Sequence, residues 1–175
     1  MPGNKEFLIM KYSDNFDRLS EALEGAGAFL VVEDKKGRVN VMTIGWAQAG
    51  FIWGQPIMSV LVRPSRHTHS MQENAPYFTV CVPRRGEMKK ELGFCGTKSG
   101  RDYDKIRACA MKLKDGMVKG LKYIEGCGLV YQCEVYGKTS LGRENISAEA
   151  LEKFYPEGDF HTLYFGKILK ADNFL

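Results

Sequence analysis

Ala28-Phe29-Leu30-Val31-Val32, Glu33-Asp34-Lys35-Lys36-Gly37-Arg38, Val39-Asn40-Val41-Met42-Thr43-Ile44-Gly45-Trp46: two apolar runs flank a charged turn. The pattern predicts a β-hairpin, with Gly37 supplying the positive φ that a tight connection demands. Outward from it the same grammar repeats. A third apolar run, residues 57–62, is bounded by Pro56 and Pro64, and a fourth, residues 77–82, ends at Pro83. Residues 121–124, 129–136 and 161–169 read as further strands. Helices are expected to be short. Phe16, Leu19 and Leu23 share one face of the first, which Ser13 or Asp14 can cap and which Gly25 and Gly27 stop. Others are expected near residues 68–74, 87–92, 104–113 and 148–154. About six or seven short strands with few helices predict a mainly β chain, an antiparallel β-barrel with helical insertions rather than a doubly wound sheet. No Gly-x-Gly-x-x-Gly follows a strand, so a nucleotide-like ligand would not be held by a Rossmann fold.

The chain has 175 residues, which predicts one domain over residues 1–175. Twenty-five Lys and Arg against 21 Asp and Glu leave a formal charge of +4, spread along the chain. That mild excess does not imply nucleic acid, and Arg84-Arg85, Lys89-Lys90 and Lys112 with Lys114 read as solvated faces. No segment approaches the roughly 20 apolar residues that span a bilayer, so no membrane is expected. The start, residues 1–15, mixes Lys5, Glu6, Lys11 and Asp14 with a short apolar patch and does not read as a signal peptide. Five widely spaced cysteines with no Cys-x-x-Cys suggest reduced thiols in a cytoplasm. His67-x-His69 and Cys127-x5-Cys133 fit no usual zinc spacing, so no metal is expected.

Four constellations carry the chemistry. In Asn40–Trp46, a strand sends Asn40, Met42 and Ile44 to one side and Val41, Thr43 and Gly45 to the other. Small polar groups beside a glycine and an indole suit a planar heterocycle, although an ordinary barrel strand reads the same way. The following segment, residues 47–55, is expected to be a loop exposing Phe51, Ile52 and Trp53 as a partner surface or ligand wall. Arg63-Pro64-Ser65-Arg66-His67-Thr68 joins a strand end to a helix start, where free N–H groups, guanidinium forks and hydroxyls favour phosphate. The bland alternative is a Thr68 cap beside solvated arginines. The loop from Cys95 to Lys105, with Lys98 and Ser99, can cradle an anion or be a plain polar turn. Gly158-Asp159-Phe160-His161-Thr162 puts a histidine at a strand start, where barrel mouths bind ligands.

These pieces in this order resemble the flavin reductase-like FMN-binding split-barrel family, especially its flavoredoxin-type members. The matching features are Asn-Val-Met-Thr-Ile-Gly-Trp, Arg-Pro-x-Arg-x-Thr, Tyr-Phe-Thr-Val-Cys-Val-Pro, Cys-Gly-x-x-Ser-Gly-Arg-Asp-x-Asp-Lys and His-Thr-Leu-Tyr-x-Gly-Lys. The resemblance implies a split barrel holding noncovalent FMN. Its ring would lie against Asn40, Met42, Thr43, Ile44 and Trp46, and its phosphate against the Arg66–Thr68 turn, where the residue reading above adds Arg63 and Ser65 as donors. Lys98, Ser99 and Lys105 would complete the pocket. His161 corresponds to a histidine linked to nicotinamide binding and is the candidate catalytic residue. Relatives often read Gly-Asp-His, whereas here Phe160 stands between Asp159 and His161. The implied activity is an NAD(P)H:FMN oxidoreductase, with NADH or NADPH as the donor. The rivals are an electron carrier that docks a redox protein partner near residues 84–90, and a flavin-free binding barrel. A barrel filled with Val, Ile, Leu and Phe has no room inside for the ring. The ring would then lie outside the wall, with residues 51–53 of a neighbour covering its other face in a homodimer.

Overall fold

The leading hairpin folds around its charged turn: the Asp34 carboxylate accepts the backbone N–H groups of Lys36 and Arg38 at 2.8 and 3.0 Å, and Gly37 takes φ +76°. The computed structural model describes residues 11–174, so the reading of the first ten residues lies outside them. Helix α1 (Phe16–Glu24) comes first and buries Leu19. Neither Ser13 nor Asp14 caps it. The position belongs to Asn15 in the left-handed region, while Asp14 accepts from the Lys11 N–H.

Strands β1 (Ala28–Glu33) and β2 (Val39–Ile44) pair antiparallel with Val31 opposite Val41. The expected loop after Trp46 is instead strand β3 (Ala47–Ile52), paired with β4 (Gln55–Val62). The reason is the connection: Trp53 at φ +54° and Gly54 at φ +67° form a tight turn with positive φ at both centres, the geometry that matches strand twist. A β3 at the sheet edge needs one neighbour and little burial, which its polar ends allow.

Helix α2 (His67–Gln72), strand β5 (Tyr77–Val82), α3 (Lys89–Thr97) and α4 (Lys105–Ala108) follow. Thus the third helix runs beyond the expected residue 92. The fourth is one turn long, because residues 113–115 leave it to form β6 (Leu113–Asp115), paired with β7 (Lys122–Ile124). The long strands β8 (Leu129–Ser140) and β9 (Thr162–Asn173) flank α5 (Ala148–Phe154). Irregularities at Gln132/Cys133 and Val135/Gly137 bend this pair.

The large sheet has the order β2-β1-β5-β8-β9-β4-β3. Its two edges, β2 and β3, are neighbours in sequence, joined through Gly45 and Trp46. The sheet must therefore curl until its edges meet at that corner, and the β3–β4 ladder reaches back into it through the Leu61 N–H, which donates to the Trp46 carbonyl at 3.4 Å. Away from the corner the edges part, and the result is a split barrel. Leu30, Val32, Met42, Met58, Phe78, Tyr131 and Tyr164 fill its interior. Phe29, Val31, Val41, Leu92, Cys95 and Ile124 form a second core outside. Strand β1 is buried on both faces, which is why it reads as an unbroken apolar run. Among the described residues no helix is long and apolar enough to cross a membrane.

Candidate functional site

The split in the barrel is where the chemistry gathers. A cavity of about 490 Å³ is lined by Asn40 and Met42 of β2, by Arg63, Ser65, Arg66 and Thr68 after β4, and by Lys98, Ser99 and Lys105 after α3. An adjoining hollow of about 220 Å³ is lined by Met42, Thr43, Ile44, Trp46, Arg63, Arg66 and His161. Every site residue expected from sequence therefore lines one of two linked spaces, and Met42, Arg63 and Arg66 line both.

Their roles differ from one another. Buried Asn40 donates from Nδ2 to Thr68 Oγ1 at 2.8 Å, tying β2 to α2. Thr68 does not cap the helix. Arg66 holds that position without a side-chain bond. The Thr43 hydroxyl donates to the Leu92 carbonyl at 2.7 Å and so anchors α3. Two glycines let the loop close on β2. A Cβ on Gly96 would press against Thr43 at 3.4 Å, and one on Gly100 would strike the Asn40 carboxamide and reach His67 Cδ2 at 2.9 Å.

Lys105 is 4% exposed, and its Nζ donates to the carbonyls of Cys95 and Lys98, each at 3.3 Å. No carboxylate pairs with it among the described residues, and desolvation holds its pKa below the usual lysine range, with Arg66 adding to the effect. An ammonium has three protons, so one remains for a ligand. Arg66 is exposed and donates to the Gly96 carbonyl at 3.3 Å. Arg63 is committed elsewhere: its guanidinium donates to the carbonyls of Asp159 and Phe154 at 3.0 and 2.8 Å and lies 4.9 Å from the Tyr155 ring centroid. Ser65 donates through its N–H and Oγ to the Asp159 carboxylate at 3.2 and 2.6 Å. Arg101 of the Cys95–Lys105 loop, not among the expected site residues, donates to the Ser65 carbonyl at 3.0 Å.

His161 is buried with Nδ1 2.7 Å from the Tyr155 hydroxyl, and its ring centroid lies 4.9 Å from that of Trp46. Burial, and then the Arg63 charge, push its pKa down to about 4. The imidazole is therefore neutral near pH 7. Phe160 stacks on Tyr155 at 5.0 Å between centroids. Gly158 at φ +77° and Asp159 at φ +54° make the sharp turn that sends Asp159 outward to Ser65 and His161 inward. Tyr155 and Asp159 carried no local signal, since their partners lie in other elements.

The donor set suits an oxyanion. Arg66, Lys98, Arg101 and Lys105 line the cavity against the carboxylates of Glu157 and Asp159, and Ser65 already cradles a carboxylate. Met42, Ile44 and Trp46 offer an apolar wall next to it. A flat ligand bearing a phosphate fits both halves. Among the described residues no group of three or more His, Cys, Asp and Glu could hold a metal.

The model of a family described as "Flavin reductase like domain" matches residues 24–173. Flavoredoxin from Methanosarcina acetivorans is similar with a TM-score of 0.64 at 25% identity, over 83% of this chain and 67% of that one. An FMN-binding protein from Thermus thermophilus, with bound p-hydroxybenzaldehyde, has a TM-score of 0.66 over 99% of this chain and 77% of its own. At 21% identity that second likeness speaks for the fold alone. An uncharacterised protein of Archaeoglobus fulgidus is 26% identical over 130 residues, or 74% of this chain. The chain spans 63% of that relative's length.

Proposed function

The chain belongs to the flavin reductase-like family, and from that membership we propose that it is an FMN-binding oxidoreductase that draws electrons from NADH or NADPH. The observation that carries this reading is Lys105, a buried cation with no carboxylate partner among the described residues, facing the cavity that Ser65 also lines. Lys105, Arg66 and Ser65 would hold the phosphate, and Met42, Ile44 and Trp46 would support the ring and keep water from it. When bound, FMN supplies a reversible two-electron centre able to accept a hydride from a reduced nicotinamide. The protein needs no nucleophile or acid–base pair for that chemistry. It orients the partners and supplies charge and hydrogen bonds. His161, neutral and engaged at Nδ1 by Tyr155, would offer Nε2 to the donor.

An anaerobic visible spectrum tests the reading. The protein should turn yellow on adding FMN and bleach on adding NADH or NADPH. Failure to take up FMN would overturn it, whereas uptake without bleaching would favour an electron carrier served by a redox protein. Arg66→Ala should weaken FMN about tenfold and leave riboflavin unchanged, measured by flavin fluorescence. Arg66 is exposed, so its charge-assisted bond sits near the low end of about 1.5–3 kcal/mol. Equal weakening of both flavins would return the turn to a folding role.

We also infer a homodimer. Phe51, Trp53 and Tyr136 are 65, 59 and 51% exposed, and the Trp53 ring lies 5.9 Å from Tyr136 and 5.3 Å from Phe165. So clustered an aromatic surface suits a self-complementary contact.

A further inference from the structure

We propose that the Asp159 carboxylate is an internal competitor for the flavin phosphate, so that the site takes up and releases FMN rather than retaining it. The inference rests on the FMN reading above. Ser65 offers a backbone N–H and a hydroxyl at the cavity wall, and Asp159 occupies both, at 3.2 and 2.6 Å. Two donors engaged by one anion are withheld from another. Nothing else fixes that carboxylate, because Arg63 bonds the Asp159 carbonyl and Asp159 forms no ion pair among the described residues. Its hold on Ser65 comes through the backbone, where Gly158 and Asp159 are consecutive left-handed residues between α5 and β9.

The opposite wall gives the competition its meaning. Buried Lys105 attracts a dianion into the same cavity from which Asp159 repels it. A phosphate carries more charge and more acceptor oxygens than a carboxylate, so it can displace Asp159 from Ser65, but only by swinging a like charge aside. On its departure the carboxylate returns and satisfies the same donors. Phe160 contributes to this placement. It stacks on Tyr155 and spaces Asp159 from buried His161, leaving Asp159 exposed at the lip beside Ser65.

Asp159→Asn is the test, since asparagine keeps the size and one acceptor for the Ser65 N–H while removing the charge. Kd and release rate are read by fluorescence for FMN and for riboflavin, and inorganic phosphate is titrated by thermal shift. The variant should bind FMN about tenfold more tightly, release it more slowly and leave riboflavin unchanged. Phosphate should raise its Tm more than it raises that of the wild type. Introducing Ser65→Ala into both the wild type and the Asp159→Asn variant should shrink the difference in FMN affinity between them, because the contested hydroxyl is gone while the Ser65 N–H and the repelling charge of Asp159 remain. Unchanged or weaker FMN binding, or a matching shift with riboflavin, would overturn the inference. If neither flavin bound either protein while phosphate still told them apart, the FMN reading would fall and the anion competition would stand.

Discussion

Acidification from pH 7 to pH 4 should remove about 3 kcal/mol of folding stability through His161 alone. Its pKa falls from an ordinary 6.5 to about 4, first because the ring is buried and second because Arg63 stands near it. Between those values the unfolded chain binds a proton that the native protein refuses. Stability therefore rises with pH across that window, is fully present above pH 6.5 and is lost as pH falls toward 4. His67 acts in the same direction, by desolvation and then the charge of Arg101. Glu73 and Asp34 also have lowered pKa values and add their own acid sensitivity. Comparison with His161→Gln isolates the one residue, because glutamine can still meet the Tyr155 hydroxyl but does not titrate. Urea unfolding at a series of pH values should show the stability of the wild type falling relative to that of His161→Gln by about 3 kcal/mol between pH 7 and pH 4. Parallel curves would mean that His161 titrates normally and is not buried as described.

How much is legible in the sequence follows from how local each signal is. The hairpin of residues 28–46, the run of 57–62 and the strand-to-helix turn at Arg63–Thr68 are written in consecutive residues, and each element appears where expected. Strand β3 escapes a sequence reading because its turn places a tryptophan, Trp53, at positive φ, where glycine or asparagine is the usual sign. The limits of α3 and α4 escape it because their ends depend on docking against β2 and on the β6–β7 ribbon. At the site, residue types are legible but their commitments are not. Arg63 reads as a phosphate donor, and its fork is tied to residues 154 and 159 instead. Thr43 reads as a ring contact, and its hydroxyl serves Leu92. Such assignments depend on residues 49 to 96 positions away, beyond any window of periodicity.

Lys105→Met should do two opposite things, and their signs distinguish a ligand residue from a structural one. Affinity for FMN should fall about a hundredfold, near 3 kcal/mol, with riboflavin unaffected. Burial sets that size, because at Lys105 the charge is shielded from water as the exposed Arg66 charge is not. The flavin-free protein should meanwhile gain about 1 kcal/mol of stability. Removing a buried ammonium relieves a desolvation penalty of several kcal/mol, while the two carbonyl bonds lost are long, at 3.3 Å, and worth about 1 kcal/mol each. Methionine fills the vacated space without a strongly polar atom. Urea unfolding of flavin-free protein and flavin fluorescence titrations give both numbers. A variant that is less stable and binds FMN normally would make Lys105 a brace for the loop of residues 95–105. A cation kept in a low-dielectric wall at a net cost to the fold is explained by an anion that arrives later, and the opposite signs are what that explanation requires.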